Sequence, residues 1–241
     1  MVTRSNLRKQ KLRMLRLVHY PFSAQSRFVR LCLAEYGEEA SFTEAKPWER
    51  REALLQINPA GTIPILIDND GPAICGHDVI AEYLDETRGP MRREHRLMPE
   101  SPIERSEIRR LIHWFLIKME AEATNYIVHE KLHKLEISAN NSAPDSKVIR
   151  AARANIRPHL KYISYLASTR NYLGGLRLSY ADLAAAAAIS VLDYTGDVPW
   201  EEEEAAKIWY ARVKSRPAFR TLLNERLRGL PPVSHYADLD F

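Results

Sequence analysis

Short apolar runs open the chain and long amphipathic ones close it, and the period changes near residue 90. Leu15-Arg16-Leu17-Val18 has the look of a half-buried strand, and Tyr20-Pro21-Phe22-Ser23 of a turn. Residues 24–36 carry Val29, Leu33 and Tyr36 at helical spacing, with Gly37 as the stop. Ala40 to Glu44 predicts a second strand. Asn58-Pro59-Ala60-Gly61 predicts a loop, and Ile63-Pro64-Ile65-Leu66-Ile67 a strand opened by proline. A hairpin turn over Asp68 to Gly71, a strand over Pro72 to Cys75 and a helix over Asp78 to Glu86 complete the series. The order β-α-β-(α)-β-β-α is that of a thioredoxin-like domain.

Beyond a polar connection with Gly89-Pro90 and Pro99, the period is helical throughout. Ile108, Leu111, Ile112, Phe115, Leu116 and Met119 mark a long amphipathic helix from Ile103 to about Ile137. A polar loop over Ser138 to Ser142 and Pro144 lead into a helix through Leu166, which Pro158 should kink unless it opens a separate segment. Further helices are predicted over Ser179 to Leu192, Glu201 to Lys214 and Arg216 to Glu225. The alanine run 184–188 predicts a closely packed core helix. The expected organisation is a basic extension over 1–13, an α/β thioredoxin-like N-terminal domain over 14–87, a linker over 88–101, an all-α C-terminal domain over 102–230 and a tail over 231–241.

Charge alters this picture only at the N-terminus. The formal net charge is +4, yet residues 1–13 hold five basic residues and no acid. Without them thirty basic residues face thirty-one acidic ones. The body is near neutral, so the expectation is no nucleic-acid partner. The lead reads as a solvated extension, or as sequence ahead of a start at Met14. It lacks the apolar run and cleavage site of a secretory signal. No stretch approaches the ~20 apolar residues of a membrane span. Cys32 and Cys75 have neither metal nor redox spacing, and a cytoplasmic location is the expectation.

Three motifs, in order, carry a resemblance: the strand-turn-helix Leu15 to Gly37; Asn58-Pro59-Ala60-Gly61-Thr62-Ile63-Pro64-Ile65-Leu66; and Gly175 to Leu183, where Ser179 and Asp182 have N-cap and N3 spacing. Residues 14 to about 228 resemble the cytosolic glutathione transferase superfamily, in which the proline at Pro64 is cis. The resemblance narrows to the FzlA family, which has the transferase fold but binds the division polymer FtsZ. It does so through Trp48-Glu49-Arg50-Arg51, His113-Trp114-Phe115, His129-Glu130-Lys131, Asp193-Tyr194 with Gly196-Asp197-Val198-Pro199-Trp200, Lys214-Ser215-Arg216-Pro217 and the ending Ser234-His235-Tyr236-Ala237-Asp238-Leu239-Asp240-Phe241.

Glutathione transfer needs a hydroxyl to ionise the substrate thiol, helped by a helix N-terminus. Ser23 is the first candidate, Ser26 the second and Tyr20 the third, and Ser23 is equally suited to a plain helix cap. The resemblance implies a glutathione groove at Ile63, Pro64, His77 and Asp78. Where transferases carry Glu-Ser to hold the γ-glutamyl end, this chain has Gly76 and His77. Glutathione is therefore expected as a weak ligand or co-substrate at most, with no required cofactor. The sequence His129-Glu130-Lys131-Leu132-His133 has the HExxH form, but Lys131 and Lys134 predict an exposed helix stripe with a Glu130–Lys134 pair, and no metal is expected. The resemblance further implies FtsZ polymers as partner, a homodimer, and a binding surface of Trp48, Arg50, His235, Tyr236, Asp238, Asp240 and Phe241. The rival expectation is a glutathione transferase acting on small electrophiles.

Overall fold

The computed structural model describes residues 14–137 and 143–239. The basic lead, the loop 138–142 and the last two positions, Asp240 and Phe241, lie outside the described residues. Four strands, β1 (Leu15–His19), β2 (Ala40–Glu44), β3 (Ile65–Asp68) and β4 (Ala73–Cys75), form one mixed sheet in the order β2-β1-β3-β4. β1 runs parallel to β2 and antiparallel to β3, and β3 and β4 form an antiparallel hairpin. Leu15, Leu17, Val18 and His19 are buried and only Arg16 is exposed, so β1, flanked by strands on both sides, is covered on both faces over most of its length. Three helices complete this α/β half: α1 (Ala24–Glu35), the short α2 (Glu52–Ile57) and α3 (His77–Arg92).

α3 continues six residues past the expected end at Glu86. Gly89 permits this. A Cβ there would stand 2.6 Å from Asp85 Oδ1 and 2.9 Å from Arg96 Nε, so a side chain would displace the pair that Asp85 makes. Asp85 is wholly buried and accepts from Arg96 (2.7 and 2.9 Å) and Arg105 (2.8 Å), binding the end of the head to the first turn of the helical half.

The helical half begins with α4 (Pro102–His113) and runs unbroken to residue 137. It passes through π-helical turns at Trp114–Lys118, Glu120–Thr124 and His129–His133, with α5 (Asn125–Val128) and α6 (Lys134–Ile137) between them. A π turn changes which main-chain carbonyls are bonded, and two of these are met by side chains from neighbours. Leu116 O accepts from Gln25 Nε2 at 3.3 Å, and Glu122 O from Asn155 Nδ2 at 2.8 Å. α7 (Ser146–Thr169) is one helix through Pro158, so that proline neither divides it nor opens a new segment. α8 (Tyr180–Tyr194) is buried along its whole length, and its alanines let α1 and α4 approach closely. Ser179 Oγ caps its first turn and Asp182 returns a carboxylate to the Ser179 N–H at 3.0 Å. α9 (Glu204–Lys214) and α10 (Arg220–Leu223) follow, each preceded by a 3₁₀ turn.

The tail is a strap. Val233 N donates to Tyr194 O (3.2 Å). Gly196 stands where a Cβ would come within 2.7 Å of Val233 Cγ1, at a φ of +70° that favours glycine. Tyr236 is 0% exposed: its hydroxyl donates to Leu222 O (3.0 Å), accepts from Arg27 Nη1 (3.3 Å), and its ring lies 5.1 Å from Tyr194.

Candidate functional site

The register of the sheet brings the candidate residues to one end of it. His19 pairs with Glu44, so the end of β1 and the loop after β2 are neighbours, and Val18 pairs with Ile65, so Ile63-Pro64 stands beside Tyr20. Cys75 pairs with Ile65, which sets Gly76, His77 and Asp78 next to the same loop; Gly76 N donates to Pro64 O at 3.1 Å. The Ile63–Pro64 bond is cis. Tyr20, Ser23, Lys46, Trp48, Ile63, Pro64, His77 and Asp78 thus lie on segments at one end of the sheet, where Tyr20, Lys46 and Trp48 meet the long helix.

Ser23 is the N-cap of α1, its Oγ accepting from Ser26 N at 3.2 Å. Accepting uses a lone pair and leaves the O–H free to donate, so the cap and an interaction with a thiolate at the helix N-terminus are compatible. Ser26 is fully buried and its Oγ accepts from Tyr20 N (3.3 Å), so it has no surface to offer a thiol. Tyr20 is 2% exposed, and its hydroxyl donates to Glu136 Oε2 at 2.7 Å. Burial first, and then that carboxylate, drive its pKa far above the ordinary tyrosine value. In this arrangement the hydroxyl is already committed to Glu136 and is not offered to a substrate sulfur.

The γ-glutamyl end of the site is equally altered. Gly76 has φ +98°, and a Cβ there would meet Asp78 Oδ1 at 3.0 Å, so a glutamate at 76 would strain the backbone. His77 is nearly buried against Phe28 (ring centroids 6.3 Å), and burial lowers its pKa. Asp78 is exposed in the first turn of α3. The arrangement offers one exposed carboxylate and a main-chain edge, without the paired carboxylate and hydroxyl of a tight γ-glutamyl site.

Two residues that the sequence did not single out, Glu136 and Lys46, complete the rim. Glu136, near the end of the long helix, uses both oxygens on the head: Oε2 on Tyr20 and Oε1 on Lys46 Nζ at 2.8 Å. Trp48 is half-buried, its ring 5.1 Å from Tyr20 and 4.2 Å from His133. Burial, and then the charge of His129, lower the His133 pKa to about 4, so its ring is neutral when it meets the indole. The available signal was the i,i+3 spacing of His133 and Glu136 on one helix face. The reading of 129–134 as an exposed stripe is corrected: Glu130 is buried, pairs with Lys134 and accepts from Asp145 N (2.7 Å). Lys131 reaches the buried Asp197 at 2.7 Å. Among the described residues no group of three or more His, Cys, Asp or Glu is placed to hold a metal ion.

Of the surface named for a partner, Arg50 is exposed at φ +45°, and Asp238 is exposed beyond the last 3₁₀ turn. His235 is held by its ring nitrogen on Asp193 Oδ1 (3.2 Å) and by Lys214 on its carbonyl (3.2 Å). Tyr236 is a core residue, because packing and two hydrogen bonds have used all of its side chain, and it has nothing to offer a partner. Asp240 and Phe241 lie outside the described residues. Trp48 and Tyr236 stand at opposite ends of one row of rings, Trp48–Tyr20–Phe22–Tyr194–Tyr236, with centroids 4.7 to 6.1 Å apart.

Among known proteins, the glutathione S-transferase N-terminal domain family matches residues 22–87. The chain is 41% identical over 228 residues to FtsZ-localized protein A of Caulobacter vibrioides, spanning 93% of this chain and 97% of that protein. The crystal structure of a glutathione S-transferase from Sinorhizobium meliloti 1021 superposes with a TM-score of 0.92 at 55% identity, over 95% of this chain and all of that one. FzlA from C. crescentus superposes with a TM-score of 0.88 at 41% identity, over the same shares. Identity at this level along nearly the full length, on a shared transferase fold, places the chain in the FtsZ-localized protein A family of the glutathione S-transferase superfamily.

Proposed function

We propose that this protein is a transferase-fold binding module that associates with FtsZ polymers at the division site of the cytoplasm, with little or no glutathione conjugation. The observation that carries this reading is the near full-length kinship with FtsZ-localized protein A. The rim supports it, since Tyr20 is committed to Glu136 and position 76 is a glycine with a backbone that a glutamate would strain. The partner surface in this reading is Trp48 and Arg50 with His235, Asp238, Asp240 and Phe241, where an indole and an arginine supply the anchoring contacts typical of interfaces. Glutathione enters as a weak ligand and no cofactor is required. The working unit is a homodimer, and no nucleic acid or membrane insertion is involved; no helix among the described residues is long and apolar enough to cross a membrane.

Co-sedimentation with FtsZ polymers in GTP is the test. Expected is co-pelleting that depends on polymer, alongside poor retention on a glutathione column. Protein that stays in the supernatant at micromolar FtsZ would reject the reading. The rival reading, conjugation of glutathione to small electrophiles, is favoured by one feature: Ser23 Oγ sits at the N-terminus of α1 with its O–H free to donate. Turnover of a chlorodinitrobenzene-type electrophile that Ser23→Ala abolishes would establish it.

A further inference from the structure

The contact between Glu136 and the head has a chemistry of its own. A single carboxylate from the helical half meets two donors of the α/β half, the Tyr20 hydroxyl at 2.7 Å and the Lys46 ammonium at 2.8 Å. Those donors come from different segments: Tyr20 from the turn after β1, and Lys46 from the loop after β2. The turn after β1 also carries Ser23, and the loop after β2 also carries Trp48, whose ring closes on His133 one helical turn before Glu136. The side chains of Lys46 and Glu136 are only 27% and 13% exposed, so water screens the pair weakly. An acid so placed occupies, from within the chain, the two groups at this end of the sheet best suited to receive a ligand carboxylate.

We propose that Glu136 is an intramolecular latch: its carboxylate holds Tyr20 and Lys46 across the groove and, with Trp48 closed on His133, competes with any carboxylate-bearing ligand for this end of the sheet. The groove then opens to such a ligand only when the Glu136 contact is released. The latch deepens the binding-module reading and rests on it in one respect, that the closed groove takes glutathione poorly. Trp48 belongs both to this closed contact and to the proposed partner surface, so release of the latch would also alter the face presented to a partner.

The test uses the full chain and reduced glutathione as the probe. Wild type, Glu136→Ala and Glu136→Gln are titrated by calorimetry, with thermal melting on the same samples. If the open state is a minor population in the wild type, Glu136→Ala tightens glutathione binding by roughly tenfold, the factor by which the closed form had diluted the competent one. Glu136→Gln, which keeps an acceptor for Tyr20 and loses the charge facing Lys46, falls between the two. A folded Glu136→Ala that binds glutathione no better than wild type overturns the latch, as does an absence of binding in all three proteins. Should Glu136→Ala fail to fold, Glu136→Gln is judged by the same criterion. FtsZ co-sedimentation of the wild type is scored separately, so its failure would remove the binding-module reading without deciding the latch.

Discussion

Glu120 is a half-buried residue whose Oε2 is shut off from solvent with no hydrogen-bond partner among the described residues, and burial raises its pKa from 4.5 to about 7. Between those two values the folded chain keeps a proton that the unfolded chain has released. Glu120 therefore lowers stability progressively as the pH rises from about 4.5 to 7, and the full penalty, on the order of 3 kcal/mol, applies above 7. Glu120→Gln should match wild type near pH 4.5 apart from a constant offset, and gain on it by that order at pH 8. Urea melts at the two pH values check this, and a difference that does not change with pH would rule it out. His133, whose pKa falls to about 4, acts in the opposite sense. Below 6.5 the unfolded chain takes up a proton that the folded one refuses, so this contribution is lost as the pH falls from 6.5 toward 4.

At the scale of elements, the tail and the first turn of α8 bear the sharpest consequences. A strap that buries Tyr236 against Tyr194 and bonds it to Leu222 O and Arg27 should cost stability when cut. Tyr236→Ala is expected to lose about 3–5 kcal/mol, as for other large aromatic truncations in cores. Tyr236→Phe should lose about 1–2 kcal/mol, since it leaves the Arg27 guanidinium, itself fully buried, with one fewer acceptor. Denaturant midpoints distinguish the two, and equal, negligible losses would mean that the strap is only laid on the surface. The Ser179 cap predicts a smaller effect: Ser179→Ala should cost about 1 kcal/mol, from a helix N–H left without its acceptor.

For the whole molecule the relevant joint lies between head and helical half, and Asp85 is its clearest single tie. Replacing it by Ala removes the buried carboxylate that joins Arg96 to Arg105, while Arg105 keeps Glu82 at 3.1 Å, and three charge-assisted hydrogen bonds lost at a part-buried position should cost about 1–3 kcal/mol. The expected outcome is a lower melting temperature with a broadened transition as the two halves uncouple. An unchanged, single sharp transition would show that the joint is held elsewhere. The proposed partner surface predicts a different pattern. Arg50 is exposed, so Arg50→Glu should leave melting unchanged and reduce FtsZ co-sedimentation severalfold. Wild-type pelleting by that variant would remove Arg50 from the surface.

Much of this was written in local pattern. The strands and helices of the head follow from short-range periodicity, Gly37 and the loop at 58–61, because each element is specified by residues within a dozen positions of one another. The order of motifs also sufficed to place the chain in a family, since the fold repeats those motifs at set distances. The end of α3 was not legible, because Gly89-Pro90 reads locally as a stop, and only the approach of Arg96 to Asp85 shows why the helix needs a glycine there. The same holds for the helix face at 129–136. Charged residues predict a solvated stripe, yet Lys131, His133 and Glu136 find partners 66 to 116 positions away in the chain. Tyr236, too, was chemically ambiguous: an aromatic near a terminus serves a partner or a core equally well. The chain by itself determined where most helices and strands lie, the end of α3 excepted, and which side chains could do chemistry. Only the tertiary structure decided which of those side chains are already committed to one another. Burial and hydrogen-bond pairing depend on groups distant in sequence, and no local pattern encodes them.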